Sequence, residues 1–532
     1  MLEDNALLTR IVSRFHIIVT VVVAMLGAAF LGISAGEGDF FGIYVSIFTA
    51  AFVAIMIALG DKYWMVVPFA FTSQLPAIPI KGRLLELPEI TAVLCTAVFL
   101  VRYAVKRQNF SVFRREHALI LLYTGWVVMI FCMNPVGLSD AGASLGGARF
   151  YAKIVMALAS FLIMANQVIT EIDCKRIILI LIFGSILSSA YQISLYLVPS
   201  FGATVQLTGE SEFYSWHQAL YAVPSLLICL GFARYRSSDL FSLNRVWAIV
   251  GFVVCAIVIA ASGKRTAIAA VPVFAMSAAI LRREWGFLMV WLAGVLIAAT
   301  IIVVGHGELF EFPLAAQRAF SFLPAKWGTE MRYMEGGQDL FRAELRRQAL
   351  LKIEKDPWFG TGYQVNLSLA QALSAQYAAR GGDTELQVAP FAMGSAWHNT
   401  WLGYAADFGI PLSVVAALIY LSVIFRGARM MKFFPINTYS AALSMYILLF
   451  TIRRLAASHA AGHSAEEPFG YWWMFGLQIA LFFRRPETQR EHTATRSWDP
   501  ASTARVGPAS RGRLSSPGRL PGSPASARNI HN

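Results

Sequence analysis

The sequence predicts an all-α, polytopic membrane helix bundle of about 12–14 transmembrane helices, with one large loop on a single side. Three observations lead there. Of the 532 residues, 57% are hydrophobic and only 14% are charged. The apolar residues come in runs of about 15 to 25, the length that crosses a bilayer core as helix. The charges collect in the short breaks between those runs. Such a chain is not a cytosolic enzyme, a nucleic-acid module or a secreted disulfide scaffold. Its net charge of +13 belongs to loops and a tail, so it is no sign of nucleic acid.

The candidate spans lie near 15–36, 41–59, 63–80, 90–105, 117–133, 151–169 and 177–198, then 215–232, 246–262, 266–281, 285–304, 404–425, 440–452 and 469–483. The third is interrupted by Pro68, Pro76 and Pro79. The last two are short enough to be tilted, re-entrant or one unit. The first apolar run has full span length and no clear small-residue cleavage site, so no cleavable signal peptide is expected. Loop charge sets the expected orientation. With the N-terminus inside, the short inner loops hold 18 Lys/Arg and the outer segments eight. This predicts residues 1–14 in the cytoplasm, 15–483 as the transmembrane domain with an outer loop at about 306–397, and 484–532 as a cytoplasmic tail. That tail has nine Arg, three acids and six Pro, a disordered composition. The five cysteines lie in spans or on the inner side and suggest no disulfide framework.

Nucleotide-using motifs are missing. Ser262-Gly263-Lys264-Arg265-Thr266 has a Gly-Lys pair but lacks the preceding glycine of a phosphate-binding loop. An enzyme of this kind would take an activated substrate already in the membrane. The eight outer cations sit tight against span ends, and Arg149 and Arg265 each immediately precede an apolar run. Charges there snorkel, pair or bind an anion, and for any single arginine snorkelling is the default.

In the outer loop, residues 339–353 read as a helix. Phe341, Leu345, Ala349 and Ile353 form an i, i+4 row, and Arg342 and Arg346 form the neighbouring row. This fits an amphipathic helix on the membrane surface with two guanidiniums beside the headgroups, or one whose arginines pair with Glu344 or solvent. Pro357 should end that helix, and Gly360 and Gly362 allow a tight turn. Trp397-His398-Asn399-Thr400 then enters the next span, with Asp407 slightly deeper. His398 at this lip can titrate near neutral pH and act as a base. His217, with Glu210 and Glu212, is a second acid–base candidate at a span mouth. His459 and His463 have a zinc-compatible spacing, but two histidines alone are weak evidence for metal.

Phe341–Phe425 resembles the O-antigen ligase/polymerase-like family of bacterial polytopic membrane proteins. The carrying features are an Arg-bearing amphipathic helix (Arg342), the Pro357/Gly360/Gly362 turn, His398-Asn399 and Gly409-Ile410. Gly146 to Tyr151, around Arg149, and Ser262 to Arg265 look similar to two further family segments. The stretch from Leu207 to His217 does too, although His217 stands where Asn is more usual. The departures are Lys264-Arg265 in place of Ser-Arg, and Arg342, Arg346 and Arg347 competing for one position.

The resemblance implies transfer of a glycan from undecaprenyl diphosphate to an acceptor hydroxyl at the periplasmic face of the bacterial inner membrane, in O-antigen or exopolysaccharide biosynthesis. The acceptor would be lipid A-core or a second lipid-linked glycan. Arg149, Arg265 and Arg342, with Lys264 and Arg346 as alternates, would hold the diphosphate, since guanidinium is planar and permanently charged. His398 would take the acceptor proton, with His217, Asn399 and Asp407 on the acceptor side or in support. No metal or cofactor is expected, because the arginines can replace one. The rival reading is a transporter or flippase of a lipid-linked or anionic substrate. Coupled transporters usually carry ionisable groups near the bilayer midplane, and here the middles of the spans are nearly charge-free.

Overall fold

A computed structural model describes residues 54–105 and 111–135 with short gaps, 148–197, 212–242 with a gap at 241, 246–362, 397, 399–435, 438–458 and 467–483. The chain divides into two units, Met1–Arg484 and Arg485–Asn532. All the elements below belong to the first, and the tail lies outside the described residues. So do the first expected span and most of the second.

A short 3-10 helix, Gly60–Met65, leads into α1 (Val66–Ser73). An antiparallel hairpin follows, β1 (Ile78–Ile80) against β2 (Arg83–Leu85), with Ile78 opposite Leu85. Then come α2 (Leu87–Ala104), α3 (Ala118–Met133), α4 (Ala148–Ala165), α5 (Glu171–Leu197) and α6 (Glu212–Arg234). The middle of the chain forms α7 (Val246–Ala261), α8 (Arg265–Arg282), α9 (Trp285–Gly305), α10 (Leu314–Phe320) and α11 (Thr329–Lys355). The last four are α12 (Thr400–Phe408), α13 (Ile410–Met430), α14 (Tyr439–Ala457) and α15 (Glu467–Phe483). Among the described residues, eight helices are long and apolar enough to cross a membrane: α2 to α5, α8, α9, α13 and α14. The architecture is a polytopic membrane helix bundle.

Three expectations change. The span at 63–80 is a helix only to Ser73, because the proline-bearing stretch after it turns into the hairpin, a small departure from an all-helical fold. The span at 404–425 is two helices, broken at Gly409. The loop helix begins at Thr329, ten residues before the expected start at 339.

Small residues set the closest helix contacts, as expected where lipid supplies no hydrophobic drive between helices. A Cβ on Gly476 of α15 would lie 2.3 Å from the Phe161 carbonyl oxygen of α4. A Cβ on Gly184 of α5 would lie 2.2 Å from Thr72 Oγ1 of α1. Although its span looks short in the sequence, α15 is central: Tyr471, Trp472 and Trp473 are all buried, and Trp472 meets Tyr123 edge-on at 5.1 Å. By contrast α9 has none of its span buried against protein, which suits a lipid-facing rim.

One end of the bundle is pinned by ion pairs and caps. Lys62 reaches Asp173 at 2.5 Å, Arg102 holds Asp61, and Glu171 accepts from the Ser440 backbone N–H at 3.2 Å. The opposite end gathers the N-termini of α2 and α4, the C-termini of α3 and α14, the Pro357–Gly362 turn and the start of α12.

Candidate functional site

The centre of that end is an interlock between two stretches of chain. As α12 stops at Phe408, its last carbonyls lack helical partners. Residues of the Pro357–Gly362 turn supply them: Thr361 N–H donates to the Ala406 carbonyl at 3.2 Å and Gly362 N–H to the Asp407 carbonyl at 2.8 Å. In return, the first free N–H of α13, on Ile410, donates to the Pro357 carbonyl at 2.8 Å. Only glycine fits the crossing points. Gly360 has φ +68° and a Cβ there would lie 2.5 Å from the Asp407 backbone. Gly409 has φ +85° and a Cβ there would lie 2.0 Å from the Trp358 carbonyl oxygen. Trp126 of α3 seals the joint: its Nε1 donates to the Phe408 carbonyl at 2.9 Å, and its ring stacks on Phe359 at 5.7 Å.

Inside the interlock sits a buried charge. Asp407 is fully buried, and Trp397 Nε1 donates to its carboxylate at 3.2 and 3.3 Å. Lys352 Nζ lies 3.9 Å from the same carboxylate and 4.6 Å from the Trp397 ring centre. Burial pushes the Lys352 amine below its usual value, and Asp407 partly restores it. Leu345 and Ala349 pack here with Trp397 and Ala406. The apolar row of α11 therefore faces α12, where a membrane-surface helix was expected to face lipid.

Asn399 caps α12, its side-chain oxygen accepting from the Trp401 and Leu402 N–H groups at 3.1 Å each. Thr400 N–H donates to the Ser458 carbonyl at 3.0 Å, and Trp401 Nε1 to the Ser458 hydroxyl at 2.6 Å, which ties α12 to the end of α14. His398 lies outside the described residues, between the anchored Trp397 and Asn399. His459 and His463 lie outside them too.

The expected cations separate into groups. Arg149 is engaged bidentately by Glu89, at 2.7 and 2.6 Å, and Lys153 by Glu86 at 3.0 Å. Glu86 and Glu89 also form the capping box of α2. Two cations against two acids leave this group close to neutral. Lys264 begins α8, its ammonium donating to the Tyr221 hydroxyl of α6 at 2.8 Å. The turn before it is held under α10, where Gly263 at φ +69° packs on the Ala315 carbonyl. Arg265 is half-buried on the first turn of α8. On α11, Arg342 is half-buried and Arg346 exposed, while Arg347 holds Glu344 at 2.6 Å. That contact draws the Glu344 carboxyl below its usual value. His217 lies in α6.

Residues 250–416 match the O-antigen ligase family. No curated protein matches the chain. The matched stretch holds Lys264, Arg265, Arg342, Arg346, His398, Asn399 and Asp407 and the whole interlock, and it supports a membrane glycan ligase or polymerase in general. Arg149, His217 and all of α14 and α15 fall outside it.

Sequence reasoning missed five participants. Lys352 follows Leu345 by seven residues and Ala349 by three, so it belongs to the buried face of α11, a signal that was available. Glu86-Leu87-Pro88-Glu89 has the form of a helix start and could have warned that acids await Arg149. Tyr221 and Ser458 gave no signal, because their partners are set by packing between distant helices.

Proposed function

We propose that the chain transfers a glycan from undecaprenyl diphosphate to an acceptor hydroxyl at the periplasmic face, as an O-antigen ligase or polymerase. The observation that carries this reading is the match over 250–416, a stretch whose motif residues build the interlock at one end of the bundle. The acceptor oxygen attacks the anomeric carbon, the carbon–oxygen bond to the diphosphate breaks, and undecaprenyl diphosphate departs with the bond electrons. His398 takes the acceptor proton, a contribution of about 100- to 10,000-fold for general acid–base catalysis. Arg265 and Arg342, with Lys264 and Arg346 beside them, hold the negative charge growing on the leaving group. Arg149, matched by Glu89, frames the site and brings little net charge to it. Asp407, Trp397 and Asn399 fix the entry to α12 on which His398 depends.

The test is purified protein in detergent with a short undecaprenyl-diphosphate oligosaccharide, with and without lipid A-core. Release of undecaprenyl diphosphate that is lost in His398→Ala and Arg265→Ala supports the reading. A ladder from donor alone indicates a polymerase, and a single product requiring lipid A-core a ligase. Bound donor that is never consumed by the wild type would overturn it and turn attention to transport in liposomes.

A further inference from the structure

Helix α12 has only nine residues, too few to hold its own shape, so the direction in which it starts is set by its neighbours. Its opening N–H groups are all taken. Asn399 serves Trp401 and Leu402 with its side chain, and Gly403 with its backbone carbonyl at 2.9 Å. The remaining one, on Thr400, goes to the carbonyl of Ser458, the residue that closes α14.

Ser458 is 4% exposed, and its hydroxyl has two partners. It donates to the Leu455 carbonyl at 2.7 Å and accepts from Trp401 Nε1 at 2.6 Å. Doing both from this place takes a small side chain with a hydroxyl. Trp401 is held in turn: its carbonyl accepts from the Ser413 hydroxyl at 3.2 Å, and its ring meets Tyr420 edge-on at 5.9 Å. Behind the contact, α14 is a stiff support. Every residue from Ser440 to Leu449 is buried, so the helix cannot shift without repacking the bundle. Two indoles therefore bracket His398 in the chain. Trp397, one residue before it, is fixed to Asp407 within the matched segment. Trp401, three residues after it, is fixed to Ser458 from outside that segment.

We infer that Ser458 is a positioning residue for the transfer reaction: through Thr400 and Trp401 it fixes the start of α12, which follows directly on His398, and so brings α14 into the catalytic machinery. This deepens the glycan-transfer reading and rests on it. A base works only within hydrogen-bond reach of the proton it takes, and a displacement of about 1 Å can cost about 100-fold in rate. Ser458 touches no substrate in this role, so its loss should lower kcat and leave the donor KM nearly unchanged.

The experiment measures kcat and donor KM for the purified protein in nanodiscs, with the undecaprenyl-diphosphate oligosaccharide and with or without lipid A-core. It compares wild type with Ser458→Ala, Ser458→Thr, Trp401→Phe and His398→Ala. Thr438→Ala is the control, since it removes a helix cap at the opposite end of α14. Ser458→Ala should lose about tenfold or more in kcat at unchanged donor KM, while Ser458→Thr, which keeps the hydroxyl, and Thr438→Ala keep most of the rate. Should Ser458→Ala fail to fold, Trp401→Phe, which keeps an aromatic ring and drops the N–H, should still lose about threefold. Ser458→Ala is then combined with His398→Ala. A residue acting through His398 adds no further loss in that background, whereas a merely structural one adds its full loss. Wild-type kcat in both Ser458→Ala and Trp401→Phe, or a fully additive loss in the double variant, would overturn the inference, and a wild type whose turnover needs His398 would leave the glycan-transfer reading standing. A wild type that consumes no donor would remove both.

Discussion

Replacing Gly409 by alanine perturbs the interlock at its tightest point. Gly409 has φ +85° and ψ +160°, a region populated almost only by glycine, and holding another residue there costs about 1–3 kcal/mol. The new Cβ would also stand 2.0 Å from the Trp358 carbonyl oxygen, where ordinary contact begins at 3.4 Å. Both neighbours are backbone, so the two stretches must part by more than about 1 Å. That takes the Ile410–Pro357 hydrogen bond, now 2.8 Å, out of range and strains Gly362 to Asp407, also 2.8 Å. At about 1 kcal/mol for each bond, the whole perturbation comes to about 3–5 kcal/mol. Gly125→Ala is the control, since a Cβ there meets nothing within 4 Å. The assays are thermal unfolding in detergent and donor turnover. Gly409→Ala should melt well below the control and lose at least about tenfold in turnover. If it melts and turns over like Gly125→Ala, the interlock does not hold the site and the reasoning fails.

Arg149→Ala should destabilise the protein by about 3–5 kcal/mol, because it strands the buried Glu89 carboxylate. Arg149→Ala with Glu89→Gln should recover much of that in a double-mutant cycle on the melt. Asp407→Asn should lower the Lys352 amine further, since it removes the neighbour that now raises it while burial remains. Acetylation of Lys352 followed by mass spectrometry should then reach half-maximal rate at a lower pH than in wild type. The Glu344–Arg347 pair behaves differently, because Arg347 is exposed. A lowered carboxylate stabilises above its unfolded pKa and loses that contribution as pH falls through its lowered folded value. Arg347→Ala should therefore change stability near neutral pH by less than about 1 kcal/mol, and by nothing once the pH is below both values.

The bundle was legible because membrane spans are written locally, as runs of apolar residues with charged ends. The break at Gly409 was legible only as a Gly-Ile pair, since what makes it a break is the Trp358 carbonyl arriving from 51 residues earlier. The apolar row of α11 was visible by period, but its partner was not. A period shows that a face is buried, and membrane or α12 would read alike. Arg149 looked available because Glu89 precedes it by sixty residues. Lys264 gave no sign of its partner because the Tyr221 hydroxyl comes from α6, forty-three residues earlier.

Gly362 and Trp397 both hydrogen-bond to Asp407, one to its carbonyl and the other to its carboxylate. The intervening residues, 363–396, thus depart from and return to a single anchor. Loss of the Asp407 carboxylate would therefore release the Trp397 end, while the Gly362 end, held through the backbone carbonyl, keeps its bond.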